Sequence, residues 1–216
     1  MAGKQNTRTS TTNRRRNGRD ATSSSPKKRE QEIIDAAAEI FHRQGYSDTS
    51  VQNVADAVGI LKGSLYYYID SKDDLLYRVL LEVHDAAHTI IEEVTAMNDL
   101  TPLERLDAYV RRHVEYNIRN LTKVAVYYHD YKLLAPERRA EIRRQRRMYE
   151  DFVEGLIGEA QDRGEVAADL DRHVLANCLF GAVNSIYTWY RPGGKVSPSQ
   201  LADTLARFML AGVHAD

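Results

Sequence analysis

Residues 49–76 read TSVQNVADAVGILKGSLYYYIDSKDDLL. Val51, Val54, Ala55 and Val58 recur at helical spacing and predict a short helix with Thr49 or Ser50 as its N-cap, where a side-chain oxygen can satisfy a free backbone N–H. Gln52 and Asn53 then face outward. Gly59 suits a tight turn, because a positive φ costs glycine little. Leu65 and Ile69 stand four apart and anchor another short helix, predicted from Lys62 to about Tyr68. That leaves Lys62, Gly63, Ser64, Tyr66, Tyr67 and Tyr68 on its other faces. Ser71 and Asp74 form a capping-box-like pair, with Asp replacing the usual Glu or Gln, and open a long helix through Val94. Two short helices joined by a glycine turn make a helix-turn-helix, whose second helix reads the major groove. The hydroxyls of Ser64 and the tyrosines suit phosphate oxygens or base edges. Gly63 lets the backbone approach a duplex, Gln52 is a further contact, and Lys72 is predicted to meet a phosphate.

Upstream, Ile33, Ala37, Ile40 and Phe41 mark one face of a first helix, which Gly45 stops. Residues before it are Ser, Thr, Asn, Arg and Gly, with too little apolar surface to offset the entropy of ordering. Residues 1–26 are therefore expected to form a disordered basic arm. Met1 to Arg29 contain nine Lys/Arg and one acid, whereas the net charge of all 216 residues is only −1. A basic end on an acidic body suits an electrostatic partner such as nucleic acid, although a solvated tail without function has the same composition.

Downstream the pattern stays helical. Thr101-Pro102 opens a helix through Val114, and a tyrosine-dense segment runs from Lys123 to Tyr131. A long charged helix follows from Pro136 to near Gly164. Its interleaved Arg and Glu residues suit a solvated face with i, i+4 pairs. Asp171 caps a helix predicted from His173 to Tyr190, Arg191 to Gly194 break it, and Ser197-Pro198 start the last one. No stretch alternates long enough to predict a strand, so the fold class is all-α. The expected organisation is the arm over 1–26, a DNA-binding domain over 27–88 and a helical domain over 89–216, whose role as effector-binding and dimerisation domain is implied by a family resemblance. Cys178 is the sole cysteine, so no disulfide framework is possible. No apolar run approaches the ~18 residues of a membrane span. A soluble cytoplasmic protein is expected.

The run Thr49-Ser50-Val51, Val54-Ala55, Ala57 to Ile60, Gly63 to Ile69 and Ser71 to Leu76 resembles the signature of the TetR family of transcriptional regulators, and the resemblance spans roughly residues 29–89. It implies that Thr49, Ser50, Lys62, Gly63, Ser64, Tyr66, Tyr67 and Lys72 line the DNA. Tyr68 stands where the family often has His, Ile69 where it often has Phe, and Leu61 replaces a common Ser, which leaves one hydroxyl contact open. The stretch Trp189 to Gly194, with Pro102 to Leu106, resembles family members governing fatty-acid and steroid catabolism that respond to acyl-CoA thioesters. Under that resemblance Arg191 suits a CoA phosphate. A solvated loop arginine fits the same residues equally well.

Thirteen tyrosines include a cluster on consecutive helices. Aromatic walls with a few polar groups suit a cavity, and the candidate effector residues are Tyr116, Tyr127, Tyr128, Tyr131, Phe180, Asn184, Tyr187, Trp189 and Arg191. Core packing with hydroxyls reaching water explains most of the tyrosines too. Asn184, among apolar neighbours, needs a partner, either a ligand or a backbone carbonyl. His84 and His88 stand four apart without a third ligand, so no metal is expected. His113 and His129 are expected to be structural. No phosphate loop, nucleophile elbow or paired carboxylates stand out, and neither a cofactor nor catalysis is expected. Val174, Leu175, Cys178, Ala182 and Ile186, with Leu201, Leu205, Phe208, Ala211 and Gly212, form stripes suited to a four-helix dimer interface.

The composite expectation is a homodimeric, ligand-responsive repressor on an inverted-repeat operator, released by a small hydrophobic effector of acyl-CoA type. Two other readings remain open from the residues: a ligand-independent activator or architectural DNA binder, and an enzyme on a helical bundle.

Overall fold

Ser25 accepts a hydrogen bond from Lys28 N, Pro26 occupies the first turn, and helix α1 runs Pro26–Gln44 before Gly45 ends it. The computed structural model describes Met1 and residues 25–213; of the basic arm expected over 1–26, residues 2–24 lie outside the described residues. Helices α2 (Val51–Ala57), α3 (Lys62–Leu65) and α4 (Lys72–Thr95) complete the N-terminal head. Ile33, Ala37 and Phe41 of α1 meet Val54 and Ala55 of α2, Leu65 of α3 and Leu75 to Leu80 of α4 in one buried cluster. Burying each large aliphatic side chain contributes on the order of 1.5–3 kcal/mol, which holds helices as short as α2 and α3 in place.

The body comprises α5 (Pro102–Arg119), α6 (Leu121–Asp130), a 3-10 turn (Tyr131–Leu133), α7 (Pro136–Asp162), α8 (Arg172–Asn184), α9 (Ile186–Trp189) and α10 (Pro198–Ala211). The described residues hold no strand. Thr101 and Glu104 cap α5 reciprocally, as Ser197 and Gln200 cap α10. Helix α5 is the central post, packed on α4, α7 and α10. Helix α4 runs unbroken past position 88: Leu75 to Leu80 belong to the head cluster, Ile90 and Val94 to the body cluster.

Two local expectations need correction. The helix predicted from His173 to Tyr190 breaks at Ser185, whose hydroxyl donates to Ala182 O at 2.9 Å and competes with the helical ladder. Ser71 caps α4 as expected, accepting from Asp74 N at 3.0 Å, but the Asp74 side chain does not return the bond. Its carboxylate accepts from Asp70 N at 3.2 Å and pairs with Arg78 and Arg138.

Ion pairs tie head to body. Lys123 of α6 pairs with Asp35 of α1 at 2.6 Å and with Glu82 of α4. Arg138 of α7 reaches Asp73 at 3.1 Å and Asp74 at 3.0 Å, at the start of α4. Among the described residues no helix is long and apolar enough to cross a membrane.

Candidate nucleic-acid interface and effector cavity

The α2–turn–α3 unit is fixed from inside. Ser50 caps α2, exchanging bonds with Asn53 in a capping box. Gly59 takes φ +69°, and Ile60 N reaches back to Ala55 O at 3.0 Å. Ala55 is fully buried, so its missing bulk lets the helices approach; Leu65 and Ile69 anchor α3 from below. Helix α3 is shorter than predicted. It ends at Leu65, and Tyr66 to Tyr68 follow as a tight turn with bonds such as Tyr68 N to Leu65 O, 2.9 Å.

Among the described residues the outer face of this unit is an unpartnered lip. Lys62, Gly63, Ser64, Tyr66 and Tyr67 are exposed, with Tyr67 at 83%. With Leu61 and Tyr66, which are also open, it forms a contiguous run of exposed large side chains, of the kind that marks a contact surface. Tyr68 is half-buried and supports Tyr67 edge-on, with centroids 5.2 Å apart. A Cβ added to Gly63 would meet nothing within 4 Å. The fold itself therefore does not require a glycine there, whereas close approach by a phosphate backbone would. Ser50 and Gln52 are exposed beside the lip, Gln52 with its amide on Asp56 at 2.7 Å.

Two residues expected on the DNA side are engaged elsewhere. Thr49 is only 2% exposed; its hydroxyl donates to Gly45 O at 2.8 Å and accepts from Gln44 Nε2 at 3.1 Å. Lys72 Nζ donates to the carbonyls of Tyr46, Ser47 and Thr49 at 2.9, 3.2 and 2.8 Å, above the Tyr46 ring. An ammonium has three protons, and all three are taken. Lys72 pins the α1–α2 loop to α4 and in this structure offers no proton to a phosphate.

Inside the body, α4, α5, α6, α7 and α8 enclose an aromatic cavity. Tyr116, Tyr127, Tyr128 and Asn184 line it, as the sequence suggested, together with Val83, Ala87 and Ile90 of α4. Tyr187 lies parallel to Tyr128 at 5.5 Å, Tyr131 stacks on Tyr127 at 6.3 Å, and Phe180 packs on Tyr149, so these three buttress the wall. The cavity is contracted, with about 20 Å³ open to the centres of water molecules, far below the ~300 Å³ of a typical ligand site. A molecule of ordinary ligand size would have to displace rings to enter.

Trp189 and Arg191 are not in this wall. Trp189 is half exposed, with its indole N–H on Ser185 Oγ at 3.3 Å. Arg191 is exposed and donates to Tyr190 O at 3.0 Å. The break at Ser185 ends the inward run of α8, and the chain leaves the bundle after Tyr190.

Sequence reasoning missed His113, Asn117 and Tyr149, which also line the cavity. Asn117 Nδ2 donates to Val183 O at 3.1 Å. His113 is 8% exposed and its Nδ1 has no partner. Burial pushes its pKa down to about 4, so the ring is neutral at pH 7. Tyr109 is fully buried, its hydroxyl without a partner and its phenol held protonated by burial. His84, between the rings of Tyr127 and Tyr149, is lowered to about 4 by burial and then by Arg146. The spacing Tyr109, His113, Asn117 was the available signal: polar groups four apart on the apolar face of α5.

A second concavity, of about 270 Å³, opens between α8 and α10, lined by Leu175, Cys178, Leu179, Phe208 and Met209 among others. Phe208 is 76% exposed and Val174 is also open. Ile186 and Leu201, expected on this stripe, are instead buried in the body's own core. Ile186 follows the break at Ser185, and Val174, Cys178 and Phe208 are among the exposed members of the stripe.

Two family patterns match the chain. That of the bacterial regulatory proteins of the tetR family matches residues 33–79, and that of the tetracyclin repressor-like C-terminal domain matches residues 99–213. The chain is 29% identical over 186 residues to the HTH-type transcriptional repressor KstR2 of Rhodococcus jostii, covering 86% of this chain and 91% of the relative. Its fold is similar to that of a TetR/AcrR-family regulator from Thermobifida fusca (TM-score 0.68, 32% identity, 86% of this chain and 98% of that one). It is also similar to AibR solved with isovaleryl coenzyme A and operator DNA (TM-score 0.75, 29% identity, 83% of this chain and 97% of that one).

Proposed function

The chain belongs to the TetR family of bacterial regulatory proteins, and from that premise we propose that it is a cytoplasmic homodimeric repressor released from an inverted-repeat operator by a small effector. One observation carries the reading: α4 packs on α1 in the head, in one buried cluster with Leu65 of α3, and further along supplies Val83, Ala87 and Ile90 to the cavity wall. A ligand that opens the cavity acts on the helix that positions the reading head. If it binds the non-DNA arrangement better, the population shifts away from the operator. Its work is binding, with no chemical step.

The lip residues Lys62, Ser64, Tyr66 and Tyr67, with Ser50, Gln52, Gly63 and Tyr68, form the DNA surface. The α8/α10 face, with Phe208 outermost, joins two copies, and a two-fold dimer presents equal heads to a palindromic site. The effector is an acyl or polycyclic thioester of coenzyme A. Its uncharged body enters the cavity, and its charged end stays outside. The relative AibR was solved with such a thioester and with operator DNA.

The test couples binding-site selection to fluorescence anisotropy. The selected site is expected to be an inverted repeat, and a CoA thioester is expected to release it where the free acid does not. Phe208→Glu should yield a monomer by light scattering and lose the site, since an unpaired charge in a closed interface is costly. A site without symmetry, or a dimer that survives Phe208→Glu, overturns this assembly.

A further inference from the structure

Resting on that effector reading, we propose that His113 is a specificity-determining residue that hydrogen-bonds an uncharged oxygen, a ketone or hydroxyl, on the buried body of the effector. The cavity then selects an oxygenated ring or chain over a plain hydrocarbon of the same shape.

His113 faces Tyr109 edge-on at 5.5 Å and Phe180 at 6.1 Å. A phenylalanine would make both contacts, so packing gives no reason for an imidazole. Its Nδ1 has no partner among the described residues, although buried polar groups are nearly always paired. Neutral imidazole has one donor and one acceptor nitrogen, and so can meet either a carbonyl or a hydroxyl. Asn184, entering from α8, brings an amide to the same space. The Asn117 amide nitrogen is engaged by Val183 O, which holds that side chain in place.

The lining also sets what is rejected. It contains no Asp, Glu, Lys or Arg. A carboxylate or phosphate would enter without a counter-charge, at a desolvation cost that nothing here offsets. A saturated chain would enter but leave His113 unpaired, losing the discrimination that a polar site gives against an analogue lacking the matching group. An uncharged body with a well-placed oxygen meets both conditions.

The experiment compares two synthetic thioesters differing by one oxygen, 6-oxodecalin-2-carbonyl-CoA and decalin-2-carbonyl-CoA, with palmitoyl-CoA as an open-chain control. Calorimetry on the full chain measures binding without DNA; anisotropy on the selected operator measures release. The wild type should bind the oxo thioester at least about ten-fold tighter than the deoxo one. His113→Phe should bring that ratio within about two-fold while keeping affinity for the deoxo compound. His113→Gln, which retains a donor and an acceptor, should restore part of it. Equal binding of the two by the wild type overturns the proposal without needing any variant, and so does a ratio that survives His113→Phe. Binding with the expected ratio but without operator release overturns the effector reading and leaves the role of His113 standing. Failure of all three thioesters to bind overturns both.

Discussion

Head and body treat their polar groups in opposite ways. In the head, Thr49, Ser50, Asn53, Lys72 and Asp74 are bonded among themselves and to backbone. What the head leaves unpartnered is outside, on the Lys62 to Tyr67 lip. In the body and the stretch of α4 that enters it, His84, Tyr109 and His113 keep polar atoms inside that have no partner among the described residues. A rigid internal network with an open outer surface suits a large partner that docks without entering. A contracted interior holding unsatisfied donors and acceptors suits a small partner that enters. The regulator needs both, and α4 belongs to each.

The largest effect expected from this contrast is on acid stability. Both buried histidines titrate near 4 in the fold against an ordinary 6.5. Between those values the unfolded chain binds protons that the folded one refuses, so stability is full above pH 6.5 and falls as pH drops toward 4. Each histidine should cost about 2 kcal/mol by pH 5 and roughly 3 below pH 4. Urea denaturation at fixed protein concentration, at pH 7.5 and pH 5, measures the loss. His113→Phe should make it smaller by about 2 kcal/mol. An unchanged loss would mean that the body's interior is not as dry as the contrast requires.

Next in size is the lip. Tyr67→Ala should weaken operator binding roughly ten- to hundred-fold, the scale of one lost base or phosphate contact, while moving stability by less than about 0.5 kcal/mol. A large fall in melting temperature would place Tyr67 in the fold rather than on a docking surface.

The smallest change separates Lys72 from a phosphate contact. Lys72→Ala should cost about 1–2 kcal/mol of stability by removing charge-assisted bonds to three carbonyls. The slope of log affinity against log salt should stay the same. Loss of a true phosphate contact would lower that slope by about one, and such a drop would return Lys72 to the DNA surface.

What the sequence revealed follows the range of the interactions. Caps at Ser50, Thr101, Asp171 and Ser197 act over two or three residues, and apolar periodicity needs only one helix. All-α class, the reading unit and most helix ends were therefore legible. Lys72 was not, because its carbonyl partners lie 23 to 26 residues away. Thr49 looked like a cap because Ser50, its neighbour, has the same chemistry; tertiary packing buried one and exposed the other. Arg191 was misplaced because Ser185, without Gly or Pro beside it, does not announce a break. His113 was legible as a polar residue on an apolar stripe. Recognising it as unpaired required knowing what stands opposite.

The unbroken run of α4 also fixes a mechanical ratio. Ala87 at the cavity wall and Lys72 at the first turn are fifteen residues apart on one helix, or about 22 Å at 1.5 Å per residue. A tilt of about 5° about the cavity end moves the far end by roughly 2 Å. In the proposed two-fold dimer, two such levers would change head separation by up to about 4 Å, against the ~34 Å repeat of successive major grooves. A tilt too small to unpack the cavity wall thus becomes an ångström-scale displacement at the head.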